Sequence, residues 1–451
     1  MTTIKSINPS NGSLVGEVAV TSAAELADIV EKAHRARKQW WQTSLQDRAQ
    51  CFKNAAPVLI ENAEKIGRLI SAEMGRPEQQ AIGEATMVAT ALATKVDAVV
   101  EALTPHCIED EQTSTTFHYD PLGVCAAITP WNFPVNMVQW MVLPALMAGN
   151  PVIVKPSEHT PLCTQLYLQT LQQFFPQDVL QIVQGGKEQG RMLVNSDVQL
   201  IAFTGSRRAG QQILSDAAKD FKRIILELGG KDPLLVLADA DIAAAASFAA
   251  QNSYYNSGQV CVSSERMYVH ESVAAEFERL LIEATADVTV VAGDLQQSTM
   301  GPMVADFQRQ HVLDQLNTAK AQGAEVLYGE DQHPPGYVMP TVLRVKDTMD
   351  IMQEETFGPI SCVRHYSDID EVLEVINASD YGLSAVIFGT DIAAATEVAK
   401  AIETGMVGIN KGCGGAQGSP WVGAKESGYG YHGGVAGDRQ FAQVKIISTP
   451  K

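Results

Sequence analysis

The spacing of apolar positions predicts long helices in the first part of the chain. Apolar side chains recur at helical spacing after Thr21 and Ser22, a helix-start signal, and this predicts a helix that ends near Trp41. Helical periodicity continues through residues 48–74 and 78–103, with a glycine and a proline as stop signals between them. Residues 1–20 instead predict short extended segments around the turn at residues 8–12. We expect these helices to pack on a sheet formed later in the chain.

Short apolar runs alternate with helix-like segments from Gly123 onward. The helix-like segments include residues 162–174 and 209–218. The apolar runs are residues 124–128, 152–154, 180–183, 200–203 and 224–226. This alternation predicts a parallel, doubly wound sheet whose ligand crevice lies beyond the carboxyl ends of the strands.

A second alternation of strands and helices begins after Gly230, and we place a domain change near Gly229 and Gly230. Its helix-like segments are residues 241–252 and 273–284. Its strand-like runs are residues 234–237, 267–270, 385–389 and 407–409. The pattern predicts a second α/β domain.

Residues 104–121 differ from both alternations. They contain no glycine, and polar and apolar or aromatic side chains alternate over residues 113–119. The pattern predicts an exposed β-ribbon with which the strand-like residues 441–448 could pair. A ribbon that joins subunits and a plain surface hairpin are both open at this point.

Composition narrows the class of protein. With 451 residues the chain is too long for one compact core, so two or three domains are expected. A net charge of -19 argues against nucleic acid and anionic membranes as partners, although a dinucleotide needs only a local nest of N–H groups. The start of the chain lacks the apolar core of a signal peptide, and no apolar run reaches the roughly 20 residues of a membrane helix. The 7 cysteines are scattered without a CxxC pair, which favours reduced thiols in a cytoplasmic protein and no metal site.

Three side chains are candidates for chemistry. Cys261 lies among small residues after the turn-like run 256–258, where a substrate carbon could reach its sulfur. A free thiol has a pKa of about 8.5 and needs help to become the nucleophilic thiolate. Glu227 precedes a glycine turn, and Asn132 lies between two prolines. Each also has a plain structural interpretation: a buried cysteine is usually a small core residue, and the glutamate could simply end a strand.

At these residues the chain resembles the aldehyde dehydrogenase superfamily, and motifs match in the family's order over nearly the whole chain. The motifs are PWNFP at residues 130–134, KPSE at 155–158, FTGS at 203–206, ELGGK at 227–231, GQVC at 258–261, EETFGP at 354–359 and a degenerate PFGG-x-K-x-SG-x-G at 420–430. The resemblance is to hydrolytic, NAD(P)-dependent enzymes of short bacterial type, including semialdehyde dehydrogenases.

The resemblance implies an α/β fold with three parts. A Rossmann-type parallel-sheet cofactor domain would comprise residues 1–103 and 122–229, and a second α/β catalytic domain residues 230–425. A small β oligomerisation ribbon would comprise residues 104–121 and 439–451. In the family such a ribbon pairs subunits, so a homodimer or homotetramer is expected.

The same resemblance implies NAD as the cofactor, with NADP as the alternative. Lys155 and Glu158 would hydrogen-bond the adenosine ribose, where a glutamate accepts from a 2′-hydroxyl and repels a 2′-phosphate; Ser157 leaves room for some NADP. Ser206 opens a helix suited to the pyrophosphate, although on its own it would be interpreted as a helix cap. Glu355 and Phe357 match the pair at the nicotinamide ribose. The remaining expected cofactor residues are Ile128, Thr129, Pro130, Trp131, Phe203, Gly205, Leu228 and Gly229.

The implied reaction oxidises an aldehyde to a carboxylic acid. Cys261 would attack the aldehyde carbon, and the oxyanion would be held by the Asn132 amide and the Cys261 backbone N–H. After hydride transfer to the nicotinamide, Glu227 would activate water to hydrolyse the thioester. The presence of Glu227 favours this hydrolytic reaction over that of the CoA-acylating branch of the family, which needs no water-activating base at this position. A catalytically silent scaffold and a cofactor-independent thiol esterase are the competing hypotheses.

The chain departs from the family near the substrate. Many relatives carry a lysine and a glutamate where this chain has Met141 and His432, so a proton relay through those positions is not carried over. By resemblance the substrate tunnel would include Met137, Trp140, Ser419 and Trp421. The absence of an arginine at Trp140 favours an apolar or aromatic aldehyde, whereas the short chain favours a small semialdehyde such as succinate semialdehyde.

Overall fold

The computed structural model describes residues 2–330 and 332–451. The helices are α1 (Ala23–Gln42), α2 (Leu45–Met74), α3 (Glu78–Leu103), α4 (Asn136–Met147), α5 (Pro161–Gln172), α6 (Lys187–Val194), α7 (Arg207–Ala217), α8 (Ile242–Tyr254), α9 (Glu271–Ala286), α10 (Asp306–Ala321), α11 (Ile369–Asn377), α12 (Ile392–Ala401) and α13 (Gly434–Asp438). The strands are β1 (Thr3–Ile7), β2 (Leu14–Ala19), β3 (His106–Glu109), β4 (Thr113–Pro121), β5 (Cys125–Ile128), β6 (Val152–Lys155), β7 (Leu180–Ile182), β8 (Leu200–Thr204), β9 (Arg223–Glu227), β10 (Asp232–Val236), β11 (Ser264–His270), β12 (Glu325–Tyr328), β13 (Thr341–Arg344), β14 (Ile360–Tyr366), β15 (Tyr381–Gly382), β16 (Ser384–Phe388), β17 (Met406–Ile409), β18 (Trp421–Val422), β19 (Ala424–Lys425), β20 (Gly428–Tyr429), β21 (Tyr431–His432) and β22 (Ala442–Pro450).

The three predicted N-terminal helices are present, and local signals set their ends. Ser22 and Glu25 form a capping box at the start of α1, in which the Ser22 N–H donates to Glu25 Oε2 at 2.8 Å. Helix α2 ends at Gly75, whose φ of 81° lies in the left-handed region that glycine adopts without cost. The chain turns sharply there, so α2 and α3 pack against each other and cover one face of the first sheet.

The first alternation forms a six-stranded sheet in the order β20-β9-β8-β5-β6-β7. Strands β5 to β9 are parallel, and the chain proceeds from β5 to β7 on one side before returning to β8 and β9 on the other. The order therefore reverses between β5 and β8, which creates a crevice at their carboxyl ends. The short strand β20 comes back from the C-terminal part of the chain and pairs antiparallel with β9, opposite Glu227.

The second alternation forms a seven-stranded sheet in the order β12-β13-β14-β11-β10-β16-β17. All neighbours are parallel except β12 and β13. The apolar runs predicted as strands are buried on both faces between helices, as with Leu234 and Leu235 of β10, which are both 0% exposed.

The predicted ribbon is a three-stranded antiparallel sheet in the order β22-β4-β3. The proposed pairing of the C-terminal strand with the ribbon is confirmed, with Ile446 opposite Phe117. Strand β22 lies at the edge of this sheet and carries exposed apolar side chains.

Candidate active site

Cys261 lies in the short connection between α8 and β11, just after an irregular turn at Tyr255–Gly258. Asn256 and Ser257 have φ values of 53° and 60°, and both are buried. Non-glycine residues rarely adopt this conformation, and asparagine tolerates it best. A side chain at Gly258 would collide with the backbone of Gly358, so glycine is required there. The turn leaves Cys261 half-buried as a residue.

Asn132 follows β5, on the crevice side of the first sheet. Its side chain is 5% exposed, and its Nδ2 donates a hydrogen bond to the Gln259 carbonyl at 3.1 Å. The amide group thus lies beside the loop that carries Cys261. An amide nitrogen has two hydrogens, so one remains for another acceptor.

Glu227 ends β9 and is 5% exposed. Trp421 Nε1 donates to its Oε1 at 3.3 Å, whereas its Oε2 is buried without a partner among the described residues. Burial raises the pKa of Glu227 to about 7, although the Cys261 thiol and the Trp421 N–H favour the carboxylate. The three predicted catalytic side chains thus meet at one place.

The thiol of Cys261 is not preformed as a thiolate. Burial and the neighbouring Glu227 carboxylate both raise its pKa well above the ordinary value. The thiol is therefore protonated at neutral pH, and the charged group that affects it most is the Glu227 carboxyl, whose pKa of about 7 suits it to exchange protons there.

The KPSE residues form a connected polar group at the end of β6. Lys155 Nζ donates to the Pro156 carbonyl at 2.7 Å and lies 3.4 Å from Glu158 Oε2. Ser157 is buried, and its Oγ accepts from the His159 N–H at 3.2 Å. Glu158 is partly exposed toward Gly186, at the start of α6. A carboxylate is thus presented at the rim of the crevice.

Ser206 is the N-cap of α7, and its Oγ accepts from the Ala209 N–H at 3.4 Å. The helix-cap interpretation of this residue therefore holds, and it leaves the backbone N–H groups at the start of α7 facing the crevice. Gly205 leaves no room for a side chain, because an added Cβ would lie 2.5 Å from the Phe203 ring. Ile128, Phe203 and Leu228 are buried within the adjoining core, and Pro130 lies half-buried in the loop after β5.

Glu355 and Phe357 lie against the ELGGK turn. Glu355 Oε1 accepts from the Gly230 N–H at 3.0 Å, and the carboxyl covers Gly229. Burial and Glu265 raise the pKa of Glu355 to about 8. The Phe357 ring meets Trp131 edge-on, with ring centroids 5.4 Å apart.

The crevice fits a polar dinucleotide. Thr129 Oγ1, at the carboxyl end of β5, is buried without a hydrogen-bond partner among the described residues. Buried hydroxyls normally have partners, so this one suits a hydrogen bond to a bound molecule. Lys155, Glu158 and the start of α7 supply the polar groups that a ribose and a pyrophosphate need.

The predicted substrate residues are only partly brought together. The Trp140 and Trp421 rings pack edge to face at 5.4 Å, and Met137 is buried on the same helix as Trp140. Ser419 is exposed, with its hydroxyl beside Gly415 in the glycine-rich loop. The tunnel wall near Glu227 is thus aromatic.

The two departures from the family are both buried. Met141 is 3% exposed in the core, and His432 is 2% exposed with its ring 4.5 Å from that of Trp140. Burial and Lys95 lower the pKa of His432 to about 3. His432 is thus a packing residue that stays neutral at physiological pH.

Sequence reasoning missed two buried ion pairs at the site. Arg76 and Glu84 pair at 2.5 Å beside the Asn132 loop, and Lys231 and Glu265 pair at 2.5 Å beneath Thr356 and Phe357. Arg76 lies in a run interpreted only as a helix stop, and Glu265 lies within a strand, so no local signal marked either.

Within residues 2–330 and 332–451, no helix is both long and apolar enough to cross a membrane. The same residues contain no group of three or more histidine, cysteine, aspartate or glutamate side chains placed to hold a metal ion.

Comparison with known proteins agrees with this geometry. The family model described as "Aldehyde dehydrogenase family" matches residues 1–447. Glutarate-semialdehyde dehydrogenase of Pseudomonas putida is 32% identical over 452 residues, which cover 99% of this chain and 94% of that protein. The NAD+ complex of an aldehyde dehydrogenase from Bacillus cereus has a TM-score of 0.95 at 30% identity, covering 100% of this chain and 93% of the other. NADP-dependent glyceraldehyde-3-phosphate dehydrogenase from Bacillus halodurans, complexed with NADP, has a TM-score of 0.94 at 29% identity, covering 100% and 96%.

The chain therefore belongs to the aldehyde dehydrogenase family. Its fold is the α/β fold that the resemblance implied, and its activity is the oxidation of an aldehyde to a carboxylic acid with NAD or NADP.

Proposed function

We propose that Cys261 is the nucleophile, Glu227 the general base and Asn132 the oxyanion donor. The observation that carries this proposal is their convergence: the Glu227 carboxyl and the Cys261 thiol perturb each other's pKa, and the Asn132 amide is hydrogen-bonded to the same loop as Cys261. The backbone N–H of Cys261 would complete the oxyanion hole.

The first step needs a proton acceptor because the thiol is neutral. As the sulfur bonds to the aldehyde carbon, the thiol proton passes to the Glu227 carboxylate and the carbonyl electron pair becomes the oxyanion. Asn132 and the Cys261 N–H stabilise that charge. A nicotinamide held by Glu355 and Phe357 would supply the acceptor for the hydride of the former aldehyde carbon. Glu227 must then release that proton to solvent, so that it can accept one from the water that attacks the thioester; the carbon–sulfur bond breaks, and the proton held by Glu227 returns to the Cys261 sulfur. This coupling to the thiol would give Glu227 a second role beyond the hydrolytic step expected from the sequence.

The residues proposed to hold the cofactor surround the crevice. Lys155, Ser157 and Glu158 would bind the adenosine ribose, and Ser206 with the start of α7 the pyrophosphate. Glu355 and Phe357 would hold the nicotinamide ribose against Gly229. The partly exposed carboxylate of Glu158 supports a preference for NAD, and the nearby Lys155 ammonium supports a modest one.

An apolar or aromatic aldehyde is the substrate class that we favour. The Trp140–Trp421 pair lines the approach to Glu227, and its two aromatic rings offer an apolar surface that suits an apolar substrate group. A small semialdehyde is the second candidate, because the relative from Pseudomonas putida carries the name glutarate-semialdehyde dehydrogenase. No arginine occurs at the Trp140 position to bind a carboxylate.

The deciding experiment is an aldehyde panel assayed with NAD and with NADP. It would compare the kcat/KM of aliphatic and aromatic aldehydes with that of semialdehydes of matched length. Higher values for the uncharged aldehydes would support the aromatic wall as the specificity element, whereas higher values for the semialdehydes would assign the second class. Ester turnover without cofactor would support the thiol-esterase hypothesis.

We propose in addition that the two sheets mark the cofactor domain (residues 1–103 and 122–229) and the catalytic domain (residues 230–425). The ribbon (residues 104–121 and 439–451) would join subunits into a homodimer or homotetramer. Its exposed apolar side chains support this role. Ile108 and Ile446 are each 59% exposed, and they lie on a small sheet with an open edge.

A further inference from the structure

A buried arginine connects the proposed oxyanion donor to the loop of the nucleophile. Arg76 lies in the turn between α2 and α3 and is 1% exposed. Its Nη1 pairs with Glu84 Oε2 at 2.5 Å, its Nε donates to Asn256 Oδ1 at 2.9 Å, and its Nη2 donates to the Asn132 carbonyl. One guanidinium therefore contacts three segments of the chain that are far apart in sequence.

Asn256 links Arg76 to the backbone carbonyls of Asn132 and Gln259. Because Arg76 Nε can only donate, it fixes Oδ1 of Asn256 toward itself and directs Nδ2 the other way. That Nδ2 donates to the carbonyls of Asn132 and Gln259, each at 3.2 Å. The hydrogen bonds also hold Asn256 in its positive-φ conformation, which few residues adopt without such support.

The Gln259 carbonyl is the point where the two loops meet. It accepts from Asn256 Nδ2 at 3.2 Å and from Asn132 Nδ2 at 3.1 Å, which occupies both of its lone pairs. One hydrogen of the Asn132 amide is thereby fixed, and the direction of the second is set by the planarity of the amide. The position of that second hydrogen depends on where Arg76 and Asn256 hold this carbonyl.

Glu84 secures the other end of the Asn132 loop. Its Oε1 accepts from the N–H groups of Val135 and Asn136 at 3.2 and 3.0 Å, at the start of α4. The Arg76 guanidinium also lies over the Phe133 ring at 4.5 Å. The loop is thus held on both sides of Asn132.

We infer that Arg76 and Asn256 are positioning residues for the Asn132 amide, acting through the Gln259 carbonyl. This inference rests on Asn132 as the oxyanion donor proposed above. A displacement of the donor by an ångström is enough to slow a reaction by roughly 100-fold, so the network would act on the rate of acylation rather than on cofactor binding.

Two substitutions test the network. Arg76→Lys keeps a cation opposite Glu84, but an ammonium cannot reproduce the forked contacts of a guanidinium. Asn256→Gly removes the amide, and glycine tolerates the positive φ, so backbone strain is not introduced. Each is made alone and together with Asn132→Ala. The measurements are the rate constant of the single-turnover NADH burst with one good aldehyde, the Kd of NAD by fluorescence, and the melting temperature.

We expect each single variant to slow the burst roughly 10- to 100-fold with the Kd of NAD unchanged. In the Asn132→Ala background neither substitution should slow it further, because the group they position is gone. Arg48→Lys is the matched control: Arg48 is also a buried arginine bound to backbone carbonyls, but those of Trp40, Trp41 and Met147. It should lower the melting temperature and leave the burst rate within about twofold.

Effects that multiply in the double variants would overturn the inference, since they would show that Arg76 and Asn256 act independently of Asn132. A normal burst rate in both single variants would overturn it as well. If Arg76→Lys does not fold, Asn256→Gly decides alone. If Asn132→Ala by itself leaves the burst unchanged, the proposed role of Asn132 is wrong, and that single variant identifies this failure separately.

Discussion

The indole Nε1 of Trp421 donates a hydrogen bond of 3.3 Å to Oε1 of Glu227. A residue of the proposed substrate tunnel thereby contacts the proposed general base. Because Glu227 is buried and its pKa lies at about 7, small changes in its hydrogen bonding alter its charge at neutral pH. The tunnel wall and the acid–base chemistry are therefore coupled.

Removal of this hydrogen bond should shift the pH dependence of the enzyme. Activity requires the Glu227 carboxylate, so it should rise with pH through about 7 in the wild type. The Trp421 N–H favours the carboxylate, so Trp421→Phe should raise the pKa and move the acid limb of the kcat profile to higher pH. Trp140→Phe is the control, since it alters the same aromatic wall and should change KM without moving that limb. An unshifted limb in Trp421→Phe would show that another group controls it.

Glu227→Gln should separate the two half-reactions. Steady-state turnover should fall roughly 100- to 10,000-fold, because the thioester is no longer hydrolysed with base assistance. A burst of NADH should remain, and it should be slower than in the wild type because the neutral thiol has lost its proton acceptor. Stopped-flow measurement of burst amplitude and rate tests both roles. A burst of unchanged rate would confine Glu227 to hydrolysis.

Cys261→Ala should abolish aldehyde oxidation and retain cofactor binding. The half-buried thiol is the proposed nucleophile, whereas the cofactor residues lie elsewhere in the crevice. Activity and the Kd of NAD are the measurements. Cys362→Ala serves as the control, because Cys362 is 1% exposed in the core strand β14 and should be dispensable for catalysis. More than a trace of oxidation by Cys261→Ala would refute the assignment.

Glu158→Ala should change the choice of cofactor. The carboxylate is placed to repel a 2′-phosphate, and without it Lys155 can attract one. We expect the ratio of kcat/KM for NADP to that for NAD to rise at least tenfold, which corresponds to about 1.4 kcal/mol. Glu188→Ala, which removes an exposed acid from nearby α6, should leave the ratio unchanged. A wild type that already prefers NADP would contradict the proposed role.

Ile446→Asp should weaken self-association. Ile446 is 59% exposed on the edge strand β22, and a carboxylate there would be buried without a partner in any subunit contact along that edge. Sedimentation velocity of the wild type and the variant should show a loss of mass. Leu14→Asp, at a residue 54% exposed on the N-terminal hairpin, is the control. A wild type that sediments as a monomer would refute the ribbon's proposed role.

Local patterns in the sequence were sufficient to predict most of the helices and strands. Helix α3 has the predicted bounds, and the predicted strands of both sheets are present to within a few residues. Periodicity predicts these elements because a helix that buries one face has apolar residues at regular helical spacing, and a fully buried strand is a short continuous apolar run. The resemblance also identified Cys261, Glu227 and Asn132 as candidates, since each lies in a short motif.

The tertiary structure alone decided how these residues interact. Glu227 ends a strand of the first sheet, whereas Cys261 lies in the loop before β11 of the second sheet, and only their packing raises both pKa values and makes the carboxyl a partner of the thiol. Arg76 had no recognisable role in the sequence, because its partners Glu84, Asn132 and Asn256 are brought together by three separate segments. A motif records which residue is present, whereas charge state and hydrogen-bond direction depend on burial and on neighbours distant in the chain. Such contacts are set by the topology of the fold, and no regular spacing of residues in the sequence indicates them.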